Sequence, residues 1–116
     1  MFVKVKLNSN LALGSVVSYN STDQNWQLAQ NAGSMLGIVQ EVEHDLDTQI
    51  FWGIVVFAET CNALADRAIP DEGGYLAVNN GRVYVDPNAD HCGIISPLPR
   101  GQESRIENDL VMVYLR

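Results

Sequence analysis

"GSVVSYN" (residues 14–20) runs into a polar stretch and is followed by "MLGIVQEV" (35–42). Later, "GGYLAVNNGRVYV" (73–85) is followed by "HCGIIS" (91–96). In each half of this doubled phrase a glycine opens a strand, a polar turn and a return strand follow, and a Gly-Ile-Val or Gly-Ile-Ile step closes the unit. The intervals are similar, 23 positions from Gly14 to Gly37 and 19 from Gly74 to Gly93. A glycine inside such a strand marks a bulge, a bend or a close backbone approach. Both units therefore read as a hairpin plus a bent return strand. A match this short has two explanations, an internal pseudo-repeat and the ordinary reuse of hairpins by all-β proteins.

Working outward, period-two patterns dominate and helical periodicity is nearly absent. Val3, Val5 and Leu7 alternate with Lys4 and Lys6. "WQLA" (26–29) pairs back on the run at Val16 and Val17, and Met35 to Val42 is a further strand, with "EHDLD" (43–47) as a polar loop. "QIFWGIVVFA" (49–58) is the strongest strand pattern in the chain. "NNG" (79–81) between Tyr75–Val78 and Arg82–Val85 is a hairpin signal, because Asn-Gly takes the positive φ angles that a tight turn requires. Gly93 to Ser96 and "DLVMVYL" (109–115) complete the strands, and the one expected helix is short, over Asn62 to Ala68. The expectation is a single all-β domain over 1–116, an antiparallel β-sandwich or barrel with at most one short helix.

Two strands are apolar on both faces. One is Ile50, Trp52, Ile54 and Val56 against Phe51, Val55 and Phe57; the other is Leu110, Met112 and Tyr114 against Val111, Val113 and Leu115. An antiparallel strand with one wet face shows alternation, so these two are expected to be covered on both sides. A chain of 116 residues has limited means of doing so alone. Either a closed sandwich or a subunit partner does the covering, and both are expected together, with Phe51, Trp52, Phe57, Met112 and Tyr114 at the subunit interface, most simply of a homotrimer.

Composition is that of a globular protein, 47% apolar and 18% charged. The net charge of −7 and the scattered lysines and arginines disfavour a nucleic-acid role. No apolar run approaches a membrane span and the first residues lack a signal-peptide pattern, so synthesis in the cytoplasm and no membrane partner are expected. Cys61 and Cys92 have no Cys-x-x-Cys spacing and are expected to be reduced, buried thiols.

Candidate chemistry is thin. His44, Asp45 and Asp47 look like a metal-ligand cluster but lack further ligands at a recognisable spacing, and a solvated acidic loop is the simpler reading. His91 and Cys92 are adjacent and so point to opposite faces of a strand. Asp66, Asp71, Glu72, Glu103, Glu107 and Asp109 form no pattern that sets two carboxylates across a cleft. Gly73-Gly74 lacks the Lys-Ser/Thr and helix of a phosphate loop. Trp26, Trp52 and Tyr84 are candidates for a sugar platform, with core packing as the plainer alternative. No catalytic residue, metal or cofactor is expected.

"LGSVVSYN…NWQLAQ…LGIVQEV", "GIVVFAETCNALADRAIPDEGGYLAVNNGRVYV" and "GIISPLP…LVMVYLR" together resemble the small all-β virion proteins of tailed bacteriophages, above all the head decoration (cement) proteins. The resemblance covers roughly residues 12 to 96, and Gly14, Gly37, Gly74 and Gly93 match as structural positions. It implies a trimeric β-barrel or sandwich that binds the major capsid protein on the outer capsid surface and strengthens the shell, with no enzymatic activity. The charged loop "GQESRIEN" (101–108) has no counterpart. Lys4 and Lys6, on the N-terminal segment 1–10, are candidate capsid contacts through strand addition; an edge strand whose lysines block aggregation is the alternative. A phage tail, baseplate or fibre subunit and a carbohydrate-binding module are the other expected classes.

Overall fold

The computed structural model describes residues 1–30, 35–89 and 92–115, which form ten strands and, among the described residues, no helix. The first five strands are β1 (Phe2–Leu7), β2 (Val16–Asn20), β3 (Asn25–Leu28), β4 (Gly37–Asp45) and β5 (Ile50–Phe57). They close into a barrel in the order β1-β3-β2-β4-β5. All its pairings are antiparallel except β1 with β3, a parallel contact at Leu7 and Trp26 alone. Its interior holds Val5, Leu7, Leu11, Val17, Val39 and Val55. Small β-branched side chains suit so narrow a barrel, because the inward positions of few strands leave little volume.

The remaining strands are β6 (Thr60–Leu64), β7 (Gly74–Asn79), β8 (Arg82–Val85), β9 (Gly93–Ile95) and β10 (Leu110–Leu115), in the order β6-β10-β9-β7-β8. The edges of this sheet curl together at a parallel bridge between Ala65 and Val83. Read from that bridge, the order is β6-β8-β7-β9-β10, the order of the first barrel with every index raised by five.

The correspondence extends to registers. Val16 pairs with Ile38 and Ile38 with Val56; Tyr75 pairs with Ile94 and Ile94 with Tyr114. The parallel closures match too, the Asn8 N–H donating to Trp26 O at 2.9 Å and the Asp66 N–H to Val83 O at 2.8 Å. The chain is thus two copies of one five-stranded unit, residues 2–57 and 60–115. Gly37 and Gly93 are equivalent, as the doubled phrase suggests. Gly14 is matched by Gly73 rather than Gly74, a shift of one residue, and both adopt positive φ, 85° and 67°.

The expected helix over 62–68 is replaced by β6. Alanine favours helices, but propensity is a weak prior that tertiary pairing overrides. Here Ala63 and Ala65 are fully buried, Ala63 opposite Val111 of β10, and only a small side chain suits those inward sites. Residues 43–45 likewise belong to β4 rather than to a loop, beyond a bulge between Val39 and Glu41.

The two units are joined by a shared core. Val16, Ala29, Leu36 and Ile38 of the first pack in one cluster with Leu76, Val78, Val83, Ile95 and Val113 of the second. The junction is also hydrogen-bonded. Gly81, in the Asn80-Gly81 turn between β7 and β8, accepts from the Val16 N–H at 2.8 Å and donates to Ala29 O at 2.7 Å; the Leu64 N–H donates to Gly14 O at 2.9 Å.

Candidate interaction surface

Because successive residues of a strand face opposite sides, the row Val16–Ile38–Val56 lies outside the first barrel. Its side chains are 0%, 0% and 2% exposed, with Val16 and Ile38 packed against the second unit. The equivalent row of the second unit is Tyr75–Ile94–Tyr114, at 42%, 44% and 48% exposed. Leu110 and Met112, also outward on β10, are 56% and 52% exposed. Five large apolar or aromatic side chains and no charge thus share one face of an otherwise acidic molecule. Beside the row lies a groove of about 620 Å³, lined by Pro70, Gly74, Tyr75, Val85, Ile94 and Pro97 among others. Scattered single apolar residues are normal on protein surfaces, whereas a contiguous set marks an interaction site.

This outcome splits the interface expectation. Met112 and Tyr114 do lie on an uncovered face, because β10 is covered on one side only, through Val111, Val113 and Leu115. Phe51, Trp52 and Phe57 of β5 are half-buried within their own unit, with Phe57 edge-on to Trp26 at 5.2 Å and Phe51 stacked on His44 at 4.1 Å. The chain itself covers most of β5. Sequence reasoning missed Tyr75 and Ile94; their signal was the doubled phrase, once its two halves are compared row by row.

The other candidate groups are dispersed. His44 is taken up by Phe51, and the Asp45 carboxylate accepts from the Asp47 and Thr48 N–H groups at 3.0 and 3.4 Å. Hydrogen bonds from the Thr48 side chain and then its backbone hold the Asp45 carboxyl below the usual carboxylate range. The cluster is a turn cap. Among the described residues no group of three His, Cys, Asp or Glu side chains is placed to hold a metal. His91 lies outside the described residues. Asp66 is paired with Arg67 at 2.7 Å, Asp109 accepts from the Ile106 N–H at 2.8 Å, and Asp71, Glu72, Glu103 and Glu107 are exposed. Gly73 and Gly74 lead into β7, a strand, where a phosphate loop requires a helix.

The aromatic candidates each have their own partner. Trp26 contacts Tyr19 and Phe57, Trp52 lies under Lys4 at 5.8 Å, and Tyr84 carries the Arg67 guanidinium at 4.0 Å. They do not form one platform. Lys4 also pairs with Glu43 of β4 at 3.0 Å. β1 is laddered to β5 along its whole length, while on its other edge it has a ladder partner only at Leu7.

Cys61 and Cys92 are thiols outside any disulfide, half-buried against the shared core rather than fully enclosed, and the Cys92 thiol donates to Leu76 O at 3.5 Å. Burial, reinforced by nearby Glu59, pushes the Cys61 thiol up to about 11. Arg105 is buried without a carboxylate; its Nη1 and Nη2 donate to Ser96 O at 2.6 Å and Pro70 O at 2.7 Å. It fastens the long connection between β9 and β10 to the segment before β7. No described helix is long and apolar enough to cross a membrane.

No protein-family model matches the chain, and neither the curated proteins nor the solved structures yield a significant match.

Proposed function

We propose that this chain is a non-catalytic structural subunit of a virus particle, a decoration protein that binds the outer surface of a tailed-phage head as a homotrimer and stabilises the shell. The observation that carries this reading is the uncharged apolar face of Tyr75, Ile94, Leu110, Met112 and Tyr114 on a chain of net charge −7. Such a face serves assembly, and the sequence resemblance supplies the kind of assembly. A ligand that binds only the intact shell stabilises it by mass action, and a ring of identical subunits adds avidity. With Lys4 engaged by Glu43, Lys6 and the exposed Phe2 are the groups on β1 left to meet the major capsid protein.

The test is co-sedimentation of the purified chain with phage heads assembled without it, followed by heating of the decorated and bare heads. Saturable binding with a raised disruption temperature is the expected result. Absence of binding to heads across salt conditions, with binding to tails, would move the assignment to a tail, baseplate or fibre subunit.

A further inference from the structure

We infer that the chain self-associates head to tail, by repeating between two copies the junction that joins its own two units. Within one chain, Val16 and Ile38 of the first unit's outer row, Val16–Ile38–Val56, are covered at the end of the second unit that carries the Asn80-Gly81 turn. Behind that turn Val78 and Val83 face each other across β7 and β8, both buried in the shared cluster. The junction therefore has two sides, a row on the leading unit and a turn-bearing end on the following one.

Each chain carries one further copy of each side. The second row, Tyr75–Ile94–Tyr114, is the register equivalent of the covered one and is nearly half exposed. The second turn-bearing end belongs to the first unit. There Tyr19 and Trp26 stand opposite each other across β2 and β3, the positions of Val78 and Val83. Tyr19 is exposed where its equivalent Val78 is buried, and Trp26 is half-buried where Val83 is fully so. A second copy places its Tyr19–Trp26 end on the Tyr75–Ile94–Tyr114 row of the first.

Scale agrees with this occupant. Aromatic side chains bury roughly 150–250 Å² each, so five half-exposed large side chains uncover on the order of 400 Å². A standard interface hides about 800 Å² per partner. The row thus forms the apolar centre of such an interface, with Asn62, Glu72 and the polar Ser21–Gln24 turn at its rim. A contact between two different surfaces closes into a ring when its rotation permits and otherwise propagates as a filament. A ring of three is one closed form, so the inference bears on the trimer proposed above, but it makes no use of a viral shell.

The experiment is sedimentation velocity of the purified full chain from about 1 to 200 µM, in 150 mM salt, with two variants. Ile94→Lys places a charge in the row, and Tyr19→Glu places one at the turn-bearing end; both positions are exposed, and circular dichroism and thermal melting verify folding. The wild type is expected to assemble, and each variant alone to lose association by at least about 100-fold. Mixed one to one, the variants are expected to form a heterodimer and nothing larger, because the mixture retains one intact row and one intact end. A wild type that is monomeric at 200 µM overturns the inference. So does a folded Tyr19→Glu variant that still assembles like the wild type, which would indicate row-to-row pairing. Folded variants that fail to combine also overturn it. Failure to bind phage heads leaves all these outcomes unchanged, so the two readings fail separately.

Discussion

Replacing Gly81 with alanine tests whether the Asn80-Gly81 turn holds the two units together. Gly81 has φ 79°, a left-handed conformation that costs an L-residue roughly 1–2 kcal/mol. A methyl group there would stand 3.2 Å from Cβ and Cγ of Leu28 on β3, and closer still to Cδ2. The turn cannot simply withdraw, because its peptide groups are bonded to the Val16 N–H and to Ala29 O on the first unit. Overpacking of this kind costs about 1–3 kcal/mol, so Gly81→Ala is expected to destabilise by about 2–5 kcal/mol in all. For a chain of this size that lowers Tm by about 4 °C per kcal/mol. Urea denaturation followed by tryptophan fluorescence measures the change. Repeating it in a Leu28→Ala background separates the two causes, since opening space at Leu28 relieves the clash but not the backbone strain. The coupling between the two substitutions should be about 1–2 kcal/mol. A cost below about 1 kcal/mol, or one identical in both backgrounds, would refute the wedged-turn account of the junction.

Ile38 and Ile94 occupy the same site in the two units, yet Ile38→Ala is expected to cost about 2–4 kcal/mol and Ile94→Ala less than about 1 in the monomer, the range for buried and exposed deletions. Equal costs by chemical denaturation at low protein concentration would undo the row equivalence. Arg105→Met should destabilise by about 1–3 kcal/mol, since it strands the Ser96 carbonyl and leaves Pro70 O only the Gly73 N–H, and Arg105→Lys should recover only part of this because one ammonium replaces a two-armed donor. An unchanged melting temperature for Arg105→Met would count against the clamp. Cys61, with its thiol raised to about 11, should react with a disulfide reagent at pH 8 far more slowly in the native chain than in denaturant. Because the folded value is raised, the stability linked to this group is complete below its unfolded value of 9.0 and declines as pH rises toward 11. Native labelling as fast as denatured labelling would contradict that burial.

The strands were legible because alternation is a local signal. β5, β10 and the Asn-Gly hairpin fall within a residue or two of their expected positions. The helix over 62–68 failed because the cue was composition. "NALADRA" is alanine-rich for lack of space inside the second unit, and only the pairing of β6 with β10 reveals it. The two-sided apolar strands were expected to be covered on both faces, and which of them the chain itself covers could not be resolved locally. β5 and β10 have the same pattern, but the row that includes Val56 is covered at Val16 and Ile38 by the second unit, and the row that includes Tyr114 has no equivalent cover. The doubled phrase raised a duplication without deciding it, while the parallel closures at Leu7–Trp26 and Ala65–Val83 join residues too distant in sequence for any periodicity to expose.

The way the two copies differ argues for what the uncovered row does. Where the row is enclosed, its residues are Val16, Ile38 and Val56, compact and β-branched, as a tightly packed interior requires. Where it is open, the central isoleucine persists as Ile94 but both flanking valines are tyrosines. A face meant only for water would carry charges there, and this chain has acidic residues in abundance elsewhere. A face meant for permanent burial would keep the valines. Tyrosine suits a surface that is wet in the free chain and dry in an assembly, because its ring supplies contact area while its hydroxyl remains solvated or finds a partner. The same substitution occurs at the other end, where Tyr19 stands in place of the enclosed Val78. Both open sides of the repeated junction thus carry tyrosine where both closed sides carry valine, the pattern expected of one contact made twice, within a chain and between chains.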